Sequence, residues 1–573
     1  MKKRITIYNL IATAVLVLTL TGCNDFFEVK PQNVTIEDDF WNEKADVDQM
    51  IGGLYTQLQS TDVVKRMMVW GEFRSDNVTA GNDIDKDNSL QKVFKEDIDA
   101  SNGYTTWTPF YYIINSCNTI IDHAPAVAAT DPAFSESELN ADIAEASAIR
   151  DLCYFYLIRT FRDVPYTTTA YADDDQVMDL PATKFDDVLD SLILDLESVK
   201  NNAVKAYPSY SATKAKYQTG RITQDAIHAM LCDMYLWKKD YAKCIEYADL
   251  VINSMKQRAK DKGFYNNSST DDLERVSGFP LVSDQLSNTT YGNAYNTIFG
   301  DGNSMESIFE LTYMRDDNMP SNGAANDFYM RSKGSVVTGF AAPSTYVGGT
   351  EGQDNQLFSK YDGRYYENMR DGKTIAKGCY SSVSVDYSKG VKDVDVSQSG
   401  FYAEGKVKCN WIIYRLSDVM LMKAEALTAL MSNAAEMSDQ DKSYMNQAFS
   451  LVNAVNKRSM CENVLKDTLK ATDYTTKEKI ENLIMSERQR ELMFEGKRWY
   501  DLVCRSRRDG NTQYLREQTL MKFTTNTSAI SGKLAKMDYI YWPYNIDELK
   551  VNKNLIQNPA FGSGEDSNIS KTK

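Results

Sequence analysis

Histidine is nearly missing: His123 and His228 are the only two in 573 residues. A three-histidine zinc site cannot be built from them, and any triad needing a histidine must use one of the two. Cysteines are more numerous, at nine, but none stands two residues from another as C-x-x-C, so neither a zinc knuckle nor a thioredoxin-like site is written here. Basic charge is outweighed, with 64 Lys and Arg against 80 Asp and Glu. That balance supplies no positive field for phosphate, which argues against nucleic acid as a partner. There is no G-x-S-x-G, P-loop, G-x-G-x-x-G or H-E-x-x-H, so motif-based enzyme classes gain nothing. Beyond residue 20 no apolar run approaches the length of a membrane span.

What is present is a composition rich in aromatics, with 7 Trp, 35 Tyr and 22 Phe, as expected of a folded chain rather than a disordered one. The first residues read as an address. Met1-Lys2-Lys3-Arg4 is a basic start, and an apolar stretch interrupted by polar residues follows to Leu20. Leu20-Thr21-Gly22-Cys23 then resembles the bacterial lipobox, which implies acylation of Cys23 and a chain anchored by lipid rather than spanning. The alternative is an ordinary secretory signal with a chance cysteine. The other eight cysteines do not reveal pairs by spacing, and Cys117, Cys153, Cys232 and Cys244 fall in helical patterns as small buried hydrophobes.

The clearest periodicity lies in 220–253. Thr223 can cap a helix with Ala226, Met230, Met234 and Trp237 on one stripe; Lys238-Lys239-Asp240 turns, and a second amphipathic helix follows. Two such helices in about 34 residues is the layout of a tetratricopeptide unit, which needs stacked neighbours to bury its stripe. Candidate neighbours are helices over 111–123, 143–161, 185–199, 416–430, 448–455 and a long one over 480–499. Between about 255 and 410 the period is lost in favour of Gly, Asn, Ser, Asp and Tyr, with short β-like runs such as 307–312. The expected fold is all-α dominated: a scaffold of tetratricopeptide-like hairpins carrying one large loop-rich face and few short strands. The division read from this is a signal peptide over 1–22, an N-terminal helical region over 23–254, and a C-terminal region over 255–573. The last splits into a loop-rich part (255–410) and a helical closing part (411–573).

Several ordered segments resemble the SusD/RagB family of outer-membrane nutrient-binding lipoproteins. They are Asp25 to Gln32 after the lipobox; Glu145-Ala146-Ser147-Ala148-Ile149-Arg150 with Tyr154 to Leu157 and Phe161-Arg162-Asp163-Val164-Pro165; Tyr414-Arg415-Leu416 with Ala424-Glu425-Ala426-Leu427; Glu487-Arg488-Gln489-Arg490-Glu491-Leu492 with Phe494-Glu495-Gly496-Lys497-Arg498-Trp499; and Tyr541-Trp542-Pro543 with Gln557-Asn558-Pro559-Ala560-Phe561. Arg162 and Ala560 stand where the family commonly has glycine. The resemblance implies a cell-surface protein that captures a glycan, or in the RagB branch a peptide, and hands it to a SusC-like TonB-dependent transporter. It implies no catalysis and no cofactor. It places the ligand face on loop 77–90, with Asn82 and Asp83, and loop 313–346, with Tyr313, Arg315, Phe328, Tyr329, Arg331, Phe340 and Tyr346. Neither loop contains the tryptophan that starch-binding members use.

Other readings of the same residues remain. Glu487, Glu491 and Glu495, four apart, are expected to pair with Arg488, Arg490 and Arg498 as scaffold rather than act as a catalytic pair. The acids of 83–88 alternate as in a calcium loop but lack its glycine and its final glutamate. A surface glycoside hydrolase and a tetratricopeptide-type envelope adaptor stand as rival functions.

Overall fold

A computed structural model describes residues 40–172, 176, 179–207, 219–260, 276–313, 320–329, 331–333, 336–349, 357–402, 405–434, 436–461 and 468–562. Cys23 lies outside them. Two short helices, α1 (Lys44–Leu58) and α2 (Thr61–Met68), lead through a turn to β1 (Val78–Ala80) and α3 (Asn88–Phe94). The hairpin scaffold follows as α4 (Thr108–Thr130), α5 (Glu136–Phe161), α6 (Phe185–Val199), α7 (Gln224–Lys238) and α8 (Tyr241–Lys260). Next come β2 (Ser307–Leu311), α9 (Gly323–Phe328), β3 (Arg331–Lys333), β4 (Val336–Thr338), β5 (Ala341–Pro343), β6 (Tyr380–Asp386), β7 (Asp395–Phe401) and β8 (Trp411–Arg415). Helices α10 (Leu416–Ala429), α11 (Asp439–Ser459), α12 (Lys477–Glu491) and α13 (Arg498–Asp509) close the chain with shorter turns after them.

The helices pack in series: α4 on α5, α5 on α6, α6 on α7, α7 on α8, α8 on α10, and α10 on both α11 and α12. Each hairpin buries the stripe of the one before, as the sequence period requires. Thr223 caps α7 by accepting the Ala226 N–H at 3.3 Å, and Lys239, at φ 67°, ends it in the left-handed region. The eight described cysteines are buried free thiols, and Trp107, Trp237, Trp411, Trp499 and Trp542 are all core residues. Arg162 also takes a left-handed φ of 70° at the end of α5, which explains why glycine suits the position. Its guanidinium is held instead by Asp538 at 2.5 Å.

Two sequence expectations need correction. The 111–123 helix does not stop at His123 but runs through Pro125 to Thr130, because Ala124 and Val127 are buried against α5 and outweigh one lost N–H. The long helix expected over 480–499 is two helices, broken at Phe494 (φ 66°) and Gly496 (φ 73°). The break is made by Glu72, whose carboxylate accepts the N–H groups of Phe494, Lys497 and Arg498 at 3.1, 3.2 and 3.4 Å in place of helical carbonyls. The loop-rich part carries the few short strands expected, the longest being the paired β6 and β7 of seven residues each, with Val383 and Val385 turned inward. Among the described residues no helix is long and apolar enough to cross a membrane.

Candidate ligand-binding face

The two loops singled out in the sequence are one piece of structure. β1 runs antiparallel to β5, with Val78 opposite Pro343 and Ala80 opposite Ala341. The Gly81 N–H donates to the Phe340 carbonyl at 2.9 Å, and the Asp83 N–H to that of Gly339 at 3.1 Å. Ser344 ties the other end, its N–H to the Asn77 carbonyl at 2.8 Å and its hydroxyl to the Asp76 carbonyl at 2.5 Å. Glycine at 81 is required by close approach, since a Cβ there would stand 2.4 Å from the Gly339 oxygen. Gly81→Ala is therefore expected to cost about 1–3 kcal/mol and to raise hydrogen exchange at 78–83 and 339–344 alone, as read by mass spectrometry.

Beneath this ladder lies an aromatic root. Phe328 is fully buried, edge-on to Phe73 at 5.0 Å and beside Phe340 at 6.2 Å. Lys65 stands 5.5 Å over its ring and pairs with Asp327 at 2.7 Å. The Tyr329 hydroxyl donates to the Phe494 carbonyl at 2.6 Å, and that of Tyr313 to the Gln59 carbonyl at 2.8 Å. Burial pushes both phenols up, most strongly at Tyr329. Tyr313, Phe328 and Tyr329 thus present no ring face to a ligand: their hydroxyls and rings are committed to holding the loops on the scaffold. Asn82 is exposed, Asp83 lies 2.9 Å from Lys86, and Phe340 and Tyr346 are half-buried. Burial raises the Tyr346 phenol, Asp76 adds to this, and Arg498 and Arg490 oppose it. Arg315 lies outside the described residues, and of Arg331 only the backbone is described, opposite Thr338.

Two of the acids of 83–88, Asp83 and Asp87, have local partners. Asp87 caps α3 through the Leu90 N–H at 2.8 Å and accepts the Tyr104 hydroxyl at 2.6 Å. His123 is stacked on Trp41, with ring centroids 4.8 Å apart, and His228 is lowered by burial beside Tyr247.

With this geometry in place, the profile of the SusD family matches residues 266–561, and that described as starch-binding and associating with outer membrane matches 25–236. The chain belongs to the SusD family. Two relatives from Formosa agariphila, SusD-like proteins P2 and P38, are 25% and 24% identical to it. The matches cover 85% and 95% of this chain and 88% and 96% of theirs. A solved SusD superfamily structure from Bacteroides thetaiotaomicron superposes with a TM-score of 0.60 at 20% identity, over 91% of this chain and 99% of the other. One from Bacteroides vulgatus gives 0.60 at 19%, over 91% and 100%. These structures establish the shared fold.

In this SusD-family chain two of the segments that carry the likeness, at Arg415 and at 487–495, meet in one buried ion-pair network. Glu491 pairs with Arg364 at 3.0 Å, with Arg458 at 2.5 Å and with Arg415. Glu487 meets Arg364 at 2.8 Å and Arg490 at 2.7 Å, while Glu495 meets Arg415 and Lys377 at 2.7 Å each. Of the local pairs expected from spacing only Glu487–Arg490 forms. Arg488 turns instead to Asp418 and Asp501, and Arg498 clamps Asp76 at 2.8 Å, because the helix break carries Glu495 and Arg498 off the α12 row. Burial pushes the Glu491 carboxyl up, but Arg458, Arg415 and Arg364 overcome it and hold the group well below the usual range. Sequence reasoning missed Lys65, Asp327 and Tyr104 around the aromatic root, since nothing in their spacing marks them.

Proposed function

We propose that this chain is a lipid-anchored protein of the outer-membrane surface that captures an oligosaccharide or polysaccharide nutrient and delivers it to a SusC-like TonB-dependent transporter, without catalysis. The observation carrying this reading is Phe340, partly buried and fixed beside the β1–β5 ladder by the Gly81 N–H on its carbonyl, with Asn82 and Asp83 the next residues of the facing loop. A flat ring beside amide and carboxylate groups suits a pyranose, which offers an apolar face and a rim of hydroxyls. The outer-membrane and starch-binding description of the matching family supports the same reading. Tryptophan is absent from both loops, which favours a glycan other than a maltooligosaccharide.

The test is affinity electrophoresis of the whole mature chain, carrying Cys23→Ser so that it stays unacylated, against plant, host and microbial polysaccharides. One glycan is expected to retard it without new reducing ends. Phe340→Ala is expected to weaken that retardation about tenfold, the equivalent of about 1.4 kcal/mol. Retention of peptides alone would move the reading to peptide capture, and released sugar would replace it with hydrolysis.

A further inference from the structure

A second concavity lies away from the loops, between α11, α12 and the segments 357–362 and 469–474. Its volume is about 510 Å³, within the range of small-ligand sites. Among the described residues, none that lines it comes from loop 77–90 or loop 313–346.

The floor is rigid. Asp362 grips Arg364 at 2.8 Å, Arg364 reaches Glu487 at 2.8 Å, and Glu487 holds Arg490 at 2.7 Å and the Asn456 amide at 3.1 Å. Arg490 also donates to the Leu357 carbonyl at 3.2 Å, closing one wall. A cleft set by buried ion pairs is preformed, so a ligand loses little to ordering it.

The walls are chemically mixed. Tyr474 offers a half-buried ring, backed by Phe449 at 5.9 Å. Leu483 and Met460 add apolar surface, while Asn482 and Ser486 add an amide and a hydroxyl. Among the described residues the Ser486 hydroxyl, the Lys479 ammonium and the Asp473 carboxylate carry no hydrogen bond or ion pair, and all three line the cleft.

This set discriminates between ligand classes. An apolar molecule would cover the hydroxyl, the ammonium and the carboxylate without satisfying them, which disfavours it. An anion finds no net positive field, because Glu487 neutralises Arg490 and Asp473 offsets Lys479. Among the described residues an extended peptide finds no strand edge, since the long walls are helices whose backbone groups are already paired. A neutral saccharide fits each element: its apolar face matches the tyrosine ring, and its hydroxyls both donate and accept.

We propose that this cleft is a second binding site, taking the end of a short neutral oligosaccharide independently of the face at Phe340. The site rests on its own lining and does not require the loop face to bind anything. Calorimetry on the whole mature Cys23→Ser chain tests it, with maltotriose, cellotriose, xylotriose, mannotriose and galactotriose as probes. At least one is expected to bind, with Tyr474→Ala and Ser486→Trp each weakening it about tenfold or more, in line with losing a stacked ring or the space itself. Phe340→Ala is expected to leave that affinity within about twofold. Ser486 is only half-buried, so its variant should keep a native melting curve; should it not fold, Tyr474→Ala and the exposed Lys479→Ala carry the test. Failure of all five probes to bind would overturn the site. So would binding that Phe340→Ala removes and the cleft variants leave intact, which would assign the ligand to the loop face alone. Peptides whose binding Ser486→Trp blocks, with sugars inert, would also overturn it.

Discussion

Glu491→Ala is expected to cost about 3–5 kcal/mol, the range for breaking a buried ion pair from one side, and to leave little folded protein at 37 °C. Glu491 is the centre of a cluster in which Arg364, Arg415 and Arg458 all converge on one carboxylate. All four side chains are almost completely shielded from solvent. The remaining acids, Glu306, Glu487 and Glu495, already have their own partners, so none can replace it. Glu491→Gln is expected to lose nearly as much, because it keeps the volume and removes the charge. The same carboxylate makes a pH signature. Its folded-state pKa is depressed, so its stabilisation is complete above the unfolded carboxylate value and is lost as pH falls through the folded one. Glu487 and Glu495 are depressed for the same reason, by Arg364 and Arg415 against burial, and act in the same acidic window. Urea unfolding from pH 7 down to 3 should show stability dropping in the wild type below about pH 4, with a shallower drop in Glu491→Gln. A loss under about 1 kcal/mol at neutral pH, the size of an exposed pair, would show that the cluster does not hold the fold.

Gly71→Ala is expected to be as damaging through sterics alone. A Cβ on residue 71 would sit 1.9 Å from the Gly496 oxygen and 2.7 Å from its carbonyl carbon. Neither strand of backbone can retreat. Glu72 next door is tied to Phe494, Lys497 and Arg498, and Gly496, at φ 73°, is itself so close-packed that a Cβ on it would stand 2.9 Å from the Trp411 ring. The expected loss exceeds about 4 kcal/mol, in the tail reserved for failures of packing or backbone. Gly510→Ala gives the control: its φ of 67° is strained but the space around it is open, so about 1–2 kcal/mol is expected. Soluble yield and melting temperature of the two variants separate these cases, and a Gly71→Ala protein that melts like Gly510→Ala would contradict the clash.

The scaffold helices were legible because burial writes itself into their spacing. Val188, Leu192, Leu196 and Val199 recur on the buried side of α6, and Thr223 announces the start of α7. What escaped the sequence was imposed from a distance. The break after α12 is made by a glutamate 422 residues earlier, and no local window contains that fact. The β6–β7 hairpin escaped because β7 is largely solvent-facing and offers no apolar alternation. For the candidate face, the family resemblance supplied two loops that the fold does bring together. It could not say which aromatics are spent inside, because that depends on the Gln59 and Phe494 carbonyls that receive the two tyrosine hydroxyls. The α11–α12 cleft was invisible for a different reason: polar residues on a helix surface look the same whether they face open water or line a hollow.

The joining of residues 71–77 to the end of the chain also sets an order of events. Arg74 donates to the carbonyls of Tyr539 and Ile540, more than 460 residues onward, and Lys522 reaches back to those of Phe73 and Arg74. The earliest-made part of the scaffold therefore cannot complete its bonding until almost the last of the chain has been made, since before then Arg74 has only Glu96 and Glu72 only Asn77 among these partners. Closure of so long a loop is intrinsically slow, so the chain stays open through most of its own synthesis. Under the export proposed above, that delay would keep the polypeptide in a threadable state during its crossing.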